Sequence, residues 1–265
     1  MDTPTSRIEL HRQGHLAEVT LNRPDKYNGM DLAMMDGLLD AARKLRRARD
    51  VRAVILRGAG PAFCAGLDFA AVTRRPARVL TGFLPWWRKD NRFQRVCLAW
   101  RDLPMPVIAV THGHCIGAGF QLALGCDFRF SSPDCEFSIM EIRWGLLPDM
   151  GASVTLRGLV ADDVAMDLAM TGRRVPAQEA LAQGLISRIE QEPLAAARTL
   201  AETLAAQSPS AVAAIKRLFT QTARGSERRA LRRERRLQLK LLLGANQREA
   251  MRANFEKRPP KFRSR

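Results

Sequence analysis

Two runs of small residues, each set directly behind an apolar stretch, constrain this chain more than any other feature of its sequence. Residues 53–56 read as a buried strand and lead into Gly58, Ala59, Gly60, Pro61, Ala62, Phe63, Cys64, Ala65, Gly66, Leu67 and Asp68. Residues 107–110 read as another and lead into Gly113, His114, Cys115, Ile116, Gly117, Ala118, Gly119, Phe120 and Gln121. A small-residue turn from a strand end into a helix leaves main-chain N–H groups without acceptors and aims them outward, where the helix dipole favours negative charge. A single such turn is common and purely structural. Two of them are able to share one oxyanion.

Neither turn fits a nucleotide fingerprint. Gly117 and Gly119 match the first two glycines of a dinucleotide motif, but Leu122 stands at the third, and no Gly-Lys-Ser/Thr occurs for a P-loop. Around the turns the order of elements is α/β. Residues 8–10 and 16–21 predict a hairpin turning at Gln13 and Gly14. Asp31 predicts the N-cap of a helix with Met35, Leu38, Leu39, Ala42 and Leu45 on its apolar face. A helix holding Trp86, Trp87 and Phe93 is expected before residues 107–110, a short helix over 118–124, and a strand over 185–189. Beyond it, residues 194–244 read as helices punctuated by Pro209 and Gly225, and Pro259 and Pro260 end the last one. The division expected is an α/β core over 1–192 and a helical C-terminal domain over 193–265.

With 265 residues, 46% of them hydrophobic, the chain is long enough to bury one full core, so disorder is not the default. Residues 1–7 hold no apolar stretch of signal-peptide type and no segment reaches a membrane span, which makes the cytoplasm the simplest address. Cys64, Cys97, Cys115, Cys126 and Cys135 form no Cys-x-x-Cys pair and read as reduced packing residues. His112 and His114 beside Cys115 have poor ligand spacing, so no metal is assigned. The net charge of +16 favours anionic partners, and residues 216–240 hold ten basic residues against Glu227 and Glu234. The plainest account of that stretch is a solvated helix face. Phe83, Trp86, Trp87 and Phe93 are candidates for an acyl pocket or for ordinary core.

The assembled motifs resemble the crotonase (enoyl-CoA hydratase/isomerase) family over nearly the whole chain. Asn22, Arg23, Pro24 and Asn28 are similar to its opening loop, Phe63 to Asp68 to its first oxyanion turn, and Gly113 to Gly119 to its second. Pro104, Pro106, Val107, Ile108, Ala109 and Val110 resemble the strand before that turn, Cys126 and Asp127 its exit, and Gly184, Leu185 and Ile186 a later signature. The resemblance implies a spiral of ββα units with a helical trimerisation domain and a homotrimer or dimer of trimers. It implies an acyl-CoA thioester as substrate and no cofactor beyond the coenzyme A carried by that substrate; with no membrane span in the sequence no membrane partner is expected, and nucleic acid is not the partner expected first. Backbone N–H groups of Leu67 and Ala118 would hold the oxyanion, and Lys26, Ala65, Gly66, Asp68, Gly117, Gln121 and Lys257 would meet CoA or the acyl group.

Glu141 aligns with the second catalytic glutamate of the hydratases, while Gln121 stands where they carry the first. An amide is no general base toward water. Asp149, eight residues beyond Glu141, matches instead the acid spacing of the dienoyl-CoA isomerases, whose third acid also falls on Gln121. The expected activity is therefore double-bond isomerisation with Glu141 and Asp149 as the acids. A 2-enoyl-CoA hydratase, and an RNA-binding protein on the same frame using Arg228, Arg229, Arg232, Arg233, Arg235 and Arg236, stay open as alternatives.

Overall fold

A computed structural model describes residues 6–84, 87–222 and 226–264. Strands β1 (Ile8–Gln13) and β2 (Leu16–Leu21) form the expected hairpin, with Gly14 at positive φ in the turn. Then come β3 (Ala53–Gly58), β4 (Val107–Thr111), β5 (His114–Ile116), β6 (Phe128–Ser131), β7 (Glu136–Ser138), β8 (Val175–Pro176) and β9 (Arg188–Ile189). They build a six-stranded sheet in the order β1-β2-β3-β4-β6-β9 and a three-stranded sheet in the order β5-β7-β8. Only the β1/β2 and β7/β8 pairs are antiparallel.

The chain repeats one circuit: a strand in the large sheet, a shorter one in the small sheet, then a helix. β4, β5 and the helix Ala118–Leu124 make one such unit. The circuit from β3 reaches the small sheet through Cys64, which bridges Cys115 in parallel. Asp31 caps the helix Leu32–Arg47 by accepting from the Met34 N–H at 2.7 Å, and that helix buries Met35, Leu38, Ala42 and Leu45 against the main core.

Two expectations need correction. Trp87 lies in a turn and is 73% exposed, outside any helix, and Trp86 lies outside the described residues. The helix carrying Phe93 begins only at Arg92, because Asn91 and Gln94 exchange side-chain and main-chain hydrogen bonds in a capping box. The strand expected over 185–189 is reduced to Arg188–Ile189. Gly184 turns left-handed, the Leu185 N–H donates back to Ala180 O at 2.8 Å, and Leu185 O is taken by the Arg129 guanidinium. Those residues close the helix Ala177–Ala182 instead of pairing with the sheet.

Packing subdivides the region from residue 193 onward. The helix Pro193–Ala205 buries Ala197 and Ala201 against Ala53, Ile55, Ile108, Val110 and Phe130 on the far face of the large sheet. Helices Pro209–Thr222, Glu227–Leu242 and Ala245–Phe255 follow. Among the described residues no helix is long and apolar enough to cross a membrane.

Candidate active site

The small sheet brings the site together. Its register aligns Cys64 with Cys115 and Cys115 with Phe137, so three chain segments leave it side by side. Three residues beyond Cys64 comes Leu67, three beyond Cys115 comes Ala118, and four beyond Phe137 comes Glu141. Residues far apart in the sequence therefore converge because their strands are neighbours.

The two glycine turns touch. Gly66 has φ +100° and Gly117 has φ +51°, conformations that favour glycine. A methyl group on Gly66 would stand 3.1 Å from Ile116 O and 3.9 Å from Gly117 Cα. Gly66 O accepts from the Met30 N–H at 2.7 Å and the Asp68 N–H donates to Met30 O at 3.0 Å, which leaves the intervening Leu67 N–H without a main-chain acceptor among the described residues. Ala118 is the first residue of its helix, so its N–H is one of the free donors of that terminus. Asn28 stiffens the loop beneath by donating to Ala59 O and Ala62 O, each at 2.8 Å.

Glu141 reaches this corner: its Oε1 would lie 3.3 Å from a methyl on Gly117. That oxygen accepts from Gln121 Nε2 at 2.7 Å, while Oε2 is buried and has no hydrogen-bond partner among the described residues. Burial raises the Glu141 pKa; its own N–H and the Gln121 amide oppose the shift, and the Asp149 charge adds to it. Asp149 is likewise raised by burial, against its own N–H. Two half-buried acids whose pKa values are raised by burial are the kind of groups that move protons in an active site.

The remaining expected site residues divide. Lys26, Ala65, Gly66, Leu67 and Asp68 line one groove of about 440 Å³, together with Arg74, a cation that sequence reasoning missed. The Asp68 carboxylate is committed locally: it caps the helix Phe69–Val72 through the Ala71 N–H at 2.9 Å and pairs with Arg23 at 2.7 Å. Burial alone would raise its pKa, but the Ala71 N–H and the Arg23 guanidinium outweigh it and hold it low. Gln121 is completely buried, its Nε2 on Glu141 and its Oε1 on the Met150 N–H at 2.9 Å, so it spans the two acid-bearing segments. Lys257 is exposed beyond the last helix and does not line the groove.

Two aromatic residues were also missed. Phe69 stacks on Trp144 with ring centroids 4.2 Å apart, joining the segment after Leu67 to the segment after Glu141. Their nearness to Asp68 and Glu141 in the sequence was the available signal. Of the expected pocket aromatics, Phe83 packs instead on Phe93 at 4.9 Å. His112 shares a hydrogen bond with Gly60 O at 2.9 Å, and no group of metal-ligating side chains occurs among the described residues.

Comparisons with known proteins point to one family. The family described as enoyl-CoA hydratase/isomerase matches residues 11–265. Enoyl-CoA hydratase EchA19 of Mycobacterium tuberculosis is 34% identical over 264 residues, covering 99% of this chain and 97% of its own. The human mitochondrial Delta(3,5)-Delta(2,4)-dienoyl-CoA isomerase is 35% identical over 213 residues, 77% of this chain and 65% of the isomerase, so the similarity spans just under two thirds of that relative. A Streptomyces coelicolor A3(2) crystal structure assigned as an enoyl-CoA hydratase superposes with a TM-score of 0.89 at 36% identity, over 100% of this chain and 97% of that one. Register, paired turns and relatives converge on one conclusion: the chain belongs to the enoyl-CoA hydratase/isomerase family and is an enzyme of the crotonase superfamily.

Proposed function

We propose that this enzyme isomerises conjugated double bonds of an acyl-CoA, 3,5-dienoyl to 2,4-dienoyl. The observation that carries the reading is the state of Gln121. Where a hydratase places a second carboxylate beside Glu141 to activate water, this chain places a buried amide already bonded to Glu141 Oε1 and the Met150 N–H. An uncharged amide so engaged accepts no proton from water. Asp149 then supplies the second acid.

In this reading the thioester oxygen sits between the Leu67 and Ala118 N–H groups. One carboxylate, Glu141, takes a proton from C2, and the charge spreads onto the oxygen held by the two amides. Each such donor contributes on the order of 2.7 to 4 kcal/mol to a transition state of this kind. The double bonds shift to C2–C3 and C4–C5 as Asp149 delivers a proton to C6. One proton leaves and one arrives, so no cofactor is required and coenzyme A is only part of the substrate. The stacked Phe69 and Trp144 offer an apolar wall for the acyl chain, and Lys26 and Arg74 offer charge for the CoA phosphates. Exposed Phe219, Leu243 and Phe255 on the C-terminal helices support self-association, with the trimer implied by the family as the expected form.

The test compares purified enzyme on a 3,5-dienoyl-CoA and on a 2-enoyl-CoA of equal chain length. Isomerisation, read as the ultraviolet change when conjugation reaches the thioester carbonyl, is expected to exceed hydration. Faster formation of 3-hydroxyacyl-CoA would replace this reading with the hydratase one, which the full-length similarity to EchA19 favours.

A further inference from the structure

Away from the groove beside Leu67, two clefts of about 660 and 570 Å³ open on either side of Arg46, which lines both. Neither shares a lining residue with that groove. Their walls come from the second half of the helix Leu32–Arg47, the helix Pro76–Gly82, the turn at residues 87–91, the helix Arg92–Arg101 with residues 102–104 after it, and helices Pro209–Thr222 and Glu227–Leu242.

The charge there is one-sided. Asp90 and Asp102, the acids of the walls, are both claimed by Arg95 at 3.0 and 2.9 Å. Nearby Asp36 is taken by Arg78 and Arg92, and Asp40 by Arg43 and Lys44. Six lining cations, Arg46, Arg88, Lys89, Arg101, Arg217 and Arg233, have no carboxylate partner among the described residues. Two are held in place nonetheless. Arg101 donates to Thr220 O at 2.9 Å and Arg46 to Asp102 O at 3.2 Å, each through one guanidinium nitrogen. Arg233 Nε is buried and has no acceptor among the described residues.

Converging cations on five separate segments repel one another unless an anion sits among them. Guanidinium forks match phosphoryl oxygens two at a time, so a phosphoryl ligand suits this arginine set better than a lone carboxylate. Two compact clefts meeting at one arginine call for an elongated ligand, and their volumes are those of small-molecule sites. We propose that the two clefts form one binding site for a linear polyphosphate, a run of phosphoryl groups bridged across Arg46, distinct from the acyl-CoA site.

The probe is inorganic tripolyphosphate, titrated calorimetrically into the full chain at two salt concentrations. Binding is expected to weaken with salt, and Arg46→Glu or Arg217→Glu, on different helices, is expected to weaken it about tenfold or more through loss of a charge-assisted contact. Each variant keeps its melting curve and its acyl-CoA turnover. Arg232→Glu, which removes equal charge outside the clefts, is expected to leave the affinity unchanged. The proposal fails if tripolyphosphate does not bind, or if Arg232→Glu weakens it as much as the cleft variants do, since net charge alone would then account for the binding. It fails as well if coenzyme A displaces tripolyphosphate and the cleft variants raise the KM for acyl-CoA in step, because the clefts would then belong to the substrate site.

Discussion

Gln121 holds Glu141 by one end of its amide and the Met150 N–H by the other, at 2.7 and 2.9 Å. One fully buried side chain thereby sets the orientation of the first acid and fixes the main chain next to the second. The spacing of the two acids depends on a residue that carries no charge.

Gln121→Leu should remove both bonds and leave a buried N–H and carboxylate oxygen unpaired, at about 1 to 3 kcal/mol for each group. Steady-state kinetics should show kcat reduced with KM for the CoA ester little changed. Gln121→Glu keeps the shape but sets a second carboxylate against Glu141, raising the Glu141 pKa further. If Glu141 must be ionised to take the C2 proton, the acid limb of the kcat/KM pH profile should move to higher pH. A profile identical to that of the parent enzyme would refute the coupling.

On the proposed isomerisation, Glu141→Gln and Asp149→Asn should fold and lose about 100- to 10,000-fold of turnover on a 3,5-dienoyl-CoA. Both should also melt higher than the parent at neutral pH. Burial lifts the folded-state pKa of each acid, so the protonated form is favoured in the fold. The stability this lends is complete below the unfolded pKa and is lost as pH rises through the folded one. An amide stays neutral and avoids that loss. The gap in Tm between variant and parent should therefore close as pH falls below the ordinary carboxylate range, and a constant gap across pH would contradict the linkage.

The strand and turn signals were local, and for that reason legible. Asp31 as a cap, the hairpin at Gly14, β3, β4 and the helix after Gly117 all follow from residues within a few positions of one another. The short strands β5 and β7 gave no such signal. Three residues such as His114–Ile116 acquire strand geometry only by pairing with Glu136–Ser138, a non-local event. Those unreadable strands are what bring Leu67, Ala118 and Glu141 together, so the candidate residues were named in the sequence through resemblance while their assembly was not legible there. Gln121 shows the same limit. Its identity argued against hydration, but its bond to Met150 could come only from the folded chain.

Gly66→Ala should be far more harmful to turnover than its volume suggests. Gly66 sits at φ +100°, where an alanine is strained, and the added methyl would press to 3.1 Å from Ile116 O in the facing turn. The neighbouring Leu67 N–H would then shift relative to Ala118. If the Leu67 N–H holds the substrate oxygen as proposed, displacing it should cost about 100- to 1,000-fold in kcat. Circular dichroism and melting should show a folded protein with that loss, and normal kcat would argue that Leu67 does not hold the substrate oxygen.

Lys216 and Asp127 tie the helix Pro209–Thr222 to the sheet at 2.6 Å, and Lys216 also donates to Trp100 O and Met105 O. Burial raises the Asp127 pKa, with Lys216 and then the Val107 N–H opposing it. Lys216→Met leaves that carboxylate buried without its cation and should destabilise by about 3 to 5 kcal/mol in chemical denaturation at neutral pH. Without Lys216 the folded pKa of Asp127 climbs further, so the deficit should shrink as pH falls through that raised folded value and be smallest below the unfolded one, where Asp127 is protonated in both states. Adding Asp127→Asn to Lys216→Met removes the stranded charge and should recover part of the loss at neutral pH. A double variant no more stable than the single one would mean that the lysine acts through its bonds to Trp100 and Met105 and not through the ion pair.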